Sequence, residues 1–181
     1  MRIIAGTYRG KKLFSPLSEG VRPTSDRARE SVFNILNSRL EQPWSAYRLL
    51  DIFSGTGAFA LEAISRGIAV AALVDLNPTT MRKNVSLFPQ EQHKIKIIAA
   101  DAAKLPPARE KYNLLFADAP YRRGLSEAAL ISAATRGWLE DGAICIVETE
   151  KNEPLPLPSG FELTDERIYG LAKISFLRYR S

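Results

Sequence analysis

Four aspartates at the ends of predicted strands are the residues in this sequence best placed to do chemistry. Asp51 lies within the first predicted strand, and Asp75, Asp101 and Asp118 end the second, third and fourth. Because ligands bind at the carboxyl ends of strands in open parallel sheets, we expect these carboxylates to line one rim. A single strand-end aspartate is a common turn residue, but four in corresponding positions indicate a binding site.

A glycine-containing loop joins the first strand to its helix. The segment reads Phe53-Ser54-Gly55-Thr56-Gly57-Ala58-Phe59-Ala60. The two glycines allow close backbone approach to a ligand, and Ala60 allows the helix to pack closely on the strand, as in the G-x-G-x-x-A pattern. Asp75 follows Gly55 by twenty residues, a position from which a carboxylate can hold both ribose hydroxyls of an adenosine. This pattern fits both NAD and S-adenosylmethionine.

Two further features favour S-adenosylmethionine. Asp51 stands four residues before Gly55, where a carboxylate can pair with the ammonium of a methionine but would repel a pyrophosphate, which binds a helix N-terminus. Asp101 can accept a hydrogen bond from the amino group of adenine, and the backbone N–H of Ala102 can reach a ring nitrogen. The predicted cofactor site comprises Asp51, Phe53, Ser54, Gly55, Gly57, Asp75, Leu76, Asp101 and Ala102.

The fourth predicted strand ends in the segment Asp118-Ala119-Pro120-Tyr121. An amino nitrogen on a nucleobase is a poor nucleophile because its lone pair is delocalised into the ring. Two acceptors, the Asp118 carboxylate and the Ala119 carbonyl, could draw its hydrogens toward a tetrahedral arrangement, so that methyl transfer needs mainly positioning. Pro120 stiffens the turn, and we expect the ring of Tyr121, rather than its hydroxyl, to stack on an extruded base. These four residues form the predicted catalytic site.

Positive charge is concentrated near the start of the chain. The formal net charge is +5 at pH 7, and residues 1–30 hold seven Lys or Arg residues against three acidic residues. Such a cluster is typical of a surface that contacts nucleic-acid phosphates, although a solvated basic surface gives the same pattern. The residues predicted to bind nucleic acid are Arg9, Lys11, Lys12 and Arg22.

The order of predicted elements indicates an α/β fold of Rossmann-like type with a basic N-terminal extension. Strands alternate with helices from residue 48 onward, which predicts a parallel sheet covered on both faces. The last two strands have no helix between them, so we expect an antiparallel hairpin. We expect two domains, residues 1–45 and 46–181. The predicted strands are 49–53, 69–74, 95–100, 112–117, 143–148, 161–168 and 172–180; the helices are 26–40, 58–65, 78–87 and 125–139; a hairpin or arm covers 2–14.

The inventory of other reactive residues excludes several kinds of chemistry. The sequence has one cysteine, Cys145, and one histidine, His93. No disulfide is possible within the chain, and a zinc site is not expected because zinc needs about four such ligands. No apolar run approaches the roughly 20 residues that span a bilayer, and the first residues lack a signal-peptide pattern. We therefore expect no metal, no membrane association and a cytoplasmic location.

Longer segments relate the chain to a known family. Residues 51–57 resemble the cofactor motif of class I methyltransferases, and residues 118–121 are similar to the Asn/Asp-Pro-Pro-aromatic motif of amino-group methyltransferases. Together with residues 2–6, 22–30 and 33–36, they resemble the bacterial RsmD family, which methylates the N2 position of guanine in small-subunit (16S) ribosomal RNA. The resemblance implies a seven-stranded sheet with one antiparallel strand, and ribosomal RNA or the assembling small subunit as partner.

One position departs from this pattern, and three alternatives stay open. Ala119 stands where the motif usually has its first proline; alanine keeps the backbone carbonyl but fixes φ less firmly. A DNA adenine-N6 methyltransferase would use a similar motif, although 181 residues leave no room for a separate target-recognition domain. A nicotinamide oxidoreductase would need a positioned acid or base, and His93 is not near a strand end. The third alternative is an RNA-binding protein that kept the fold without turnover.

Overall fold

The computed structural model describes residues 1–15 and 26–181. Arg22, predicted to bind RNA, lies outside the described residues. The described part contains a seven-stranded sheet. Its strands are β1 Arg48–Ile52, β2 Val70–Asp75, β3 Ile95–Ala99, β4 Tyr112–Asp118, β5 Leu139–Glu150, β6 Phe161–Tyr169 and β7 Ala172–Tyr179.

The sheet combines a parallel body with an antiparallel edge. Its strand order is β3-β2-β1-β4-β5-β7-β6. Strands β1 to β5 are parallel, whereas β7 runs antiparallel to both β5 and β6. The segment between β5 and β6 is rich in proline and forms no helix, so the usual helical crossover to another parallel neighbour is missing there. The predicted α/β fold with a C-terminal antiparallel hairpin is confirmed.

Helices cover both faces of the sheet. One apolar cluster joins three helices and the N-terminal arm to one face, which includes Leu73 and Phe116. A second cluster lies on the opposite face around the fourth helix. No helix in residues 1–15 and 26–181 has the length and apolar character needed to cross a membrane. The helices are α1 Asp26–Arg39, α2 Ala58–Ser65, α3 Thr79–Val85 and α4 Leu125–Thr135, with short 3-10 turns at Trp44–Ala46, Pro89–Lys94 and Ala102–Lys104.

The boundary between α4 and β5 differs from the prediction. The helix expected over 125–139 ends at Thr135, and β5 begins at Leu139 instead of residue 143. Between them the chain turns back toward the sheet, and the buried Trp138 donates its indole N–H to the Pro106 carbonyl at 2.8 Å. The Trp138 carbonyl also accepts the backbone N–H of Tyr112, which begins β4. The helix itself is terminated by Gly137, whose φ is +79° and after which the backbone N–H of Trp138 donates back to the Ala133 carbonyl at 2.9 Å, as is typical of a glycine-terminated helix.

The N-terminal arm is a short hairpin packed on α2. Arg2 and Lys12 form an antiparallel bridge, and Ile3 is fully buried in the core. The buried carboxylate of Glu62 on α2 accepts the backbone N–H groups of Ile4 and Ala5 at 2.7 and 3.0 Å. The arm thus shares one core with the sheet. The boundary expected between residues 45 and 46 stays a prediction.

We predict that Gly6→Ala destabilises the protein far more than Gly10→Ala. Both glycines have positive φ, but a Cβ at Gly6 would lie 1.9 Å from the backbone oxygen of Ser65, whereas nothing lies within 4 Å at Gly10. Gly10→Ala should therefore cost only the left-handed strain, about 1–2 kcal/mol, and Gly6→Ala at least about 3 kcal/mol, since overpacking adds to that strain. Urea unfolding of the two variants measures the difference. Equal losses would contradict the close approach of the arm to α2.

Candidate active site

The predicted strand-end aspartates gather at the carboxyl edge of the sheet. Asp51 pairs in register with Leu73 and Phe116, and Asp75 and Asp118 are the last residues of β2 and β4. By the alternation of side chains along strands, all three lie on the face covered by α2. The negative charges of Asp118 and Asp75 are close enough to Asp51 to act on its protonation.

Asp51 is the most deeply buried of these acids. It is 1% exposed, and its carboxylate accepts hydrogen bonds from the Ser54 hydroxyl at 2.6 Å and from the backbone of Ala60. Burial is the main cause that raises the pKa of Asp51 to about 7, the two hydrogen bonds lower it, and the charges of Asp118 and Asp75 raise it further. A cation placed beside this carboxylate would lower the pKa again, so the site favours a positively charged ligand.

The glycine loop is held between β1, β2 and α2. Phe53 has φ of +59°, a conformation uncommon for a residue with a side chain and typical of constrained functional loops. The backbone N–H of Ser54 donates to the Val74 carbonyl, and that of Gly55 donates to the Asp75 carboxylate at 2.8 Å. Gly57 directly precedes α2, at a point where a Cβ would lie 3.0 Å from a Leu73 methyl carbon. The loop therefore fixes the start of α2 against β2.

The remaining predicted cofactor residues lie after β2 and β3. Asp75 also accepts the backbone N–H of Asn77 at 2.9 Å, and the Leu76 side chain beside it is 75% exposed. Asp101 accepts the backbone N–H of Ala103 at 2.9 Å, which caps the short 3-10 turn that begins with the buried Ala102. An exposed apolar side chain directly after Asp75 can cover one face of a planar ring.

The segment after β4 presents the predicted catalytic residues. Asp118 is partly exposed and Ala119 is buried, while Pro120 is exposed and Tyr121 is 39% exposed. The Tyr121 hydroxyl donates to Oε1 of Glu148 at 2.8 Å. Burial, followed by the nearby Glu148 charge, raises the Tyr121 pKa, so the phenol stays protonated and remains a donor.

Glu148 is a residue of the site that the sequence analysis did not single out. It is 4% exposed and pairs in register with Asp118 across β4 and β5. The two side chains therefore share one face of the sheet. The same signal that pointed to the aspartates, an acid at the end of a predicted strand, was available for Glu148.

The basic residues of the arm differ in their surroundings. Arg9 and Lys12 are exposed. The Lys11 ammonium donates to the Leu87 carbonyl and lies 4.6 Å from the centroid of the Phe88 ring. Lys11 thus has a packing role that Arg9 and Lys12 do not show, and its contact with RNA stays a prediction.

A buried asparagine connects the arm to the glycine loop. The Asn84 amide on α3 donates to the carbonyls of Phe14 and Thr56 at 3.1 and 2.9 Å. Its oxygen accepts the backbone N–H of Phe14 at 2.7 Å. One side chain therefore fixes the end of the arm and the loop before α2.

The single cysteine and the single histidine of the sequence lie outside the site. Cys145 is buried, and burial raises the pKa of its thiol, while His93 lies in the 3-10 turn before β3. Within residues 1–15 and 26–181, no group of three or more His, Cys, Asp or Glu side chains could hold a metal ion. The groups that the described residues place at this edge are carboxylates, backbone groups and the Tyr121 side chain.

The fold and this edge together define a class. A sheet of order β3-β2-β1-β4-β5-β7-β6, with a glycine loop after β1 and acids at the ends of β2 and β4, is the class I methyltransferase fold. The family described as "Conserved hypothetical protein 95" matches residues 1–178. The chain belongs to this family, the RsmD family.

Individual relatives agree with this assignment. The chain is 33% identical to Ribosomal RNA small subunit methyltransferase D of Haemophilus influenzae, over all of this chain and 94% of the relative. It is 35% identical to the protein of the same name from Escherichia coli K12, over 94% of this chain and 85% of the relative. The solved structure of the Escherichia coli protein yhhF superposes with a TM-score of 0.82 at 31% identity, covering 100% of this chain and 98% of the other.

We predict that Asp51 lowers stability as the pH rises. Its folded-state pKa of about 7 exceeds its ordinary value of about 3.9, so between these values the unfolded chain releases a proton that the folded protein keeps. Stability attributable to Asp51 is therefore lost as the pH rises from about 4 to 7, with a slope of up to about 1.4 kcal/mol per pH unit.

The Asp51→Asn variant isolates this effect. It lacks the titrating group, so its unfolding free energy relative to wild type should increase between about pH 4 and pH 7 and level off at higher pH. Urea unfolding at several pH values measures this difference. Parallel pH profiles of the two proteins would show that the Asp51 carboxylate is not held in an apolar environment.

Proposed function

We propose that this protein transfers a methyl group from S-adenosylmethionine to the exocyclic N2 amino group of a guanine in small-subunit ribosomal RNA. The observation that carries the proposal is the placement of Asp51, Asp75 and Asp118 on one face of the carboxyl edge, with Tyr121 beside them. The names of the curated relatives supply the substrate class. A ribosomal RNA substrate would place the reaction in the cytoplasm.

The residues at the edge suit this cofactor. The buried Asp51 carboxylate would pair with the cofactor ammonium, Asp75 would accept from the ribose hydroxyls, and Leu76 would cover the adenine ring. Asp101 and the Ala102 backbone N–H would serve the polar edge of adenine. When bound, the cofactor supplies an electrophilic methyl group on a positively charged sulfonium. The Asp51 and Asp75 carboxylates favour such a cation and disfavour the pyrophosphate of NAD.

The residues after β4 would prepare the nucleophile. The Asp118 carboxylate and the Ala119 carbonyl accept hydrogen bonds from the two hydrogens of the target amino group. These contacts localise the nitrogen lone pair and aim it at the methyl group, because both acceptors are fixed before the base arrives. The Tyr121 ring stacks on the extruded base. Asp118 can also accept the proton that the nitrogen releases once it is methylated.

A basic cleft beside the arm supports an RNA substrate. The cleft holds about 400 Å³ and opens between the arm and the start of α1. Guanidinium groups placed around a cleft can bind phosphates in a bidentate manner, and such contacts supply affinity without reading sequence. The cleft is lined by Arg2, Ile4, Arg9, Gly10, Arg27 and Glu30.

Asp118→Ala is the direct test of the proposed reaction. The variant loses an acceptor that is needed most in the transition state, so kcat should fall by about 100-fold or more, while cofactor affinity by calorimetry stays within twofold. Asp118→Asn should be milder, since its amide oxygen still accepts. Transfer of labelled methyl groups to RNA, followed by nucleoside analysis, gives both the rate and the product. Full activity of Asp118→Ala, or label in adenine of DNA, would overturn the proposal.

The exposed basic residues of the arm give a separate prediction. Replacing Arg9 and Lys12 together by alanine should weaken RNA binding and reduce the slope of log affinity against log salt by about one unit per lost contact. Cofactor affinity should not change. Lys11→Ala serves as the comparison: it should mainly lower the melting temperature, because Lys11 packs on Phe88 and bonds to Leu87. An unchanged salt slope in the double variant would show that Arg9 and Lys12 are solvated and do not contact RNA.

A further inference from the structure

The segment after β4 is attached to β5 by two side-chain contacts. The Tyr121 hydroxyl donates to Glu148 at 2.8 Å. Next to it, Arg122 forms a two-pronged ion pair with Glu150, with Nη2 lying 2.6 Å from Oε1. Arg122 has φ of +60°, a left-handed conformation that a non-glycine residue adopts only when its surroundings favour it. Two consecutive residues of the segment are thus bound to two acids on one neighbouring strand.

The two anchors differ in how firmly they can hold the segment. The Arg122 side chain is 77% exposed, and exposed ion pairs contribute little. Glu148 is 4% exposed and belongs to a strand hydrogen-bonded on both sides, opposite Asp118 on β4 and Ile174 on β7. Its backbone has no freedom to follow a moving loop. The hydrogen bond to Glu148 is therefore the contact that can fix the Tyr121 ring.

Ala119 explains why the segment needs the hydrogen bond between Tyr121 and Glu148. The related motif usually has two prolines, and alanine at the first of them leaves the backbone freer. Without the proline ring at this position, side-chain hydrogen bonds to a central strand can hold the segment in place instead. Because Glu148 is buried, alternative rotamers of Tyr121 are also disfavoured, since they would leave its carboxylate without the phenol.

We propose that Glu148 is a positioning residue, which acts through the Tyr121 hydroxyl to hold the aromatic ring where the target base stacks beside Asp118. This role rests on the proposed function. It revises the expectation that only the ring of Tyr121 matters, since the hydroxyl determines where the ring lies. Glu148 itself does not touch the reacting atoms.

The test compares Tyr121→Phe, Glu148→Ala, Glu148→Gln and the Tyr121→Phe/Glu148→Ala double variant. Labelled methyl transfer to RNA gives kcat and KM, calorimetry gives the cofactor affinity, and melting temperatures report folding. Glu140→Ala is the matched control, because it removes a glutamate from the other end of the same strand. Tyr121→Phe keeps the ring and can only lose the hydroxyl contact, so it tests the role even where Glu148→Ala folds poorly.

We expect Tyr121→Phe and Glu148→Ala each to lower kcat/KM for RNA by about tenfold, with cofactor affinity unchanged. The double variant should be no worse than Glu148→Ala alone, because coupled residues are not additive. Glu148→Gln should recover most activity, since its amide oxygen accepts, and Glu140→Ala should match wild type.

Two results would overturn the positioning role alone: full activity of Tyr121→Phe in an enzyme that methylates RNA, or additive losses in the double variant. A wild-type protein that transfers no methyl group to RNA would overturn the proposed function as well. The methyl-transfer rate of the wild-type protein therefore tells the two failures apart.

Discussion

The burial of the Asp51 carboxylate is the constraint on which the rest of the site depends. A charge in this position is unfavourable by itself, and its pKa of about 7 reflects that. The structure supports it with the Ser54 hydroxyl and the first turn of α2, which in turn requires the glycine loop to bring α2 close to β1. Asp75 holds the same loop through the backbone of Gly55. The residues that would bind a ligand are thus the residues that shape the loop, and a cationic ligand would relieve the repulsion among them.

The sequence predicted the parallel body, the antiparallel hairpin and the aspartates at the sheet edge, because these depend on local patterns. Strand-end acids and a glycine loop are readable from spacing, and a proline-rich segment excludes a helix whatever surrounds it. The predicted end of α4 is misplaced because the apolar pattern continues past Gly137, which adopts the positive φ typical of a helix C-terminus. The packing of Lys11 on Phe88 could not be predicted, because it joins residues far apart in the chain; the contact of Lys11 with RNA stays a prediction.

Glu148 shows a different limit of sequence analysis. As an acid at the end of a strand it carried the same signal as the aspartates, but only the register of β4 and β5 shows that it lies opposite Asp118. The hydroxyl of Tyr121 likewise has no visible role until its partner is known. Residue types indicate what chemistry is available at an edge, whereas pairing between distant strands determines which of these groups meet.

Asn84 has a consequence for the affinity of ligands that bind at either of the two segments it joins. Its amide is shared between the Phe14 backbone at the end of the arm and the Thr56 carbonyl in the loop before α2. A ligand that stiffens either segment reduces the conformational entropy that the other has left to lose. By thermodynamic linkage such an effect is reciprocal: whatever one ligand adds to the affinity of the second, the second returns to the first. A single buried amide is therefore the contact through which a ligand at the arm and a ligand at the loop would affect each other's affinity.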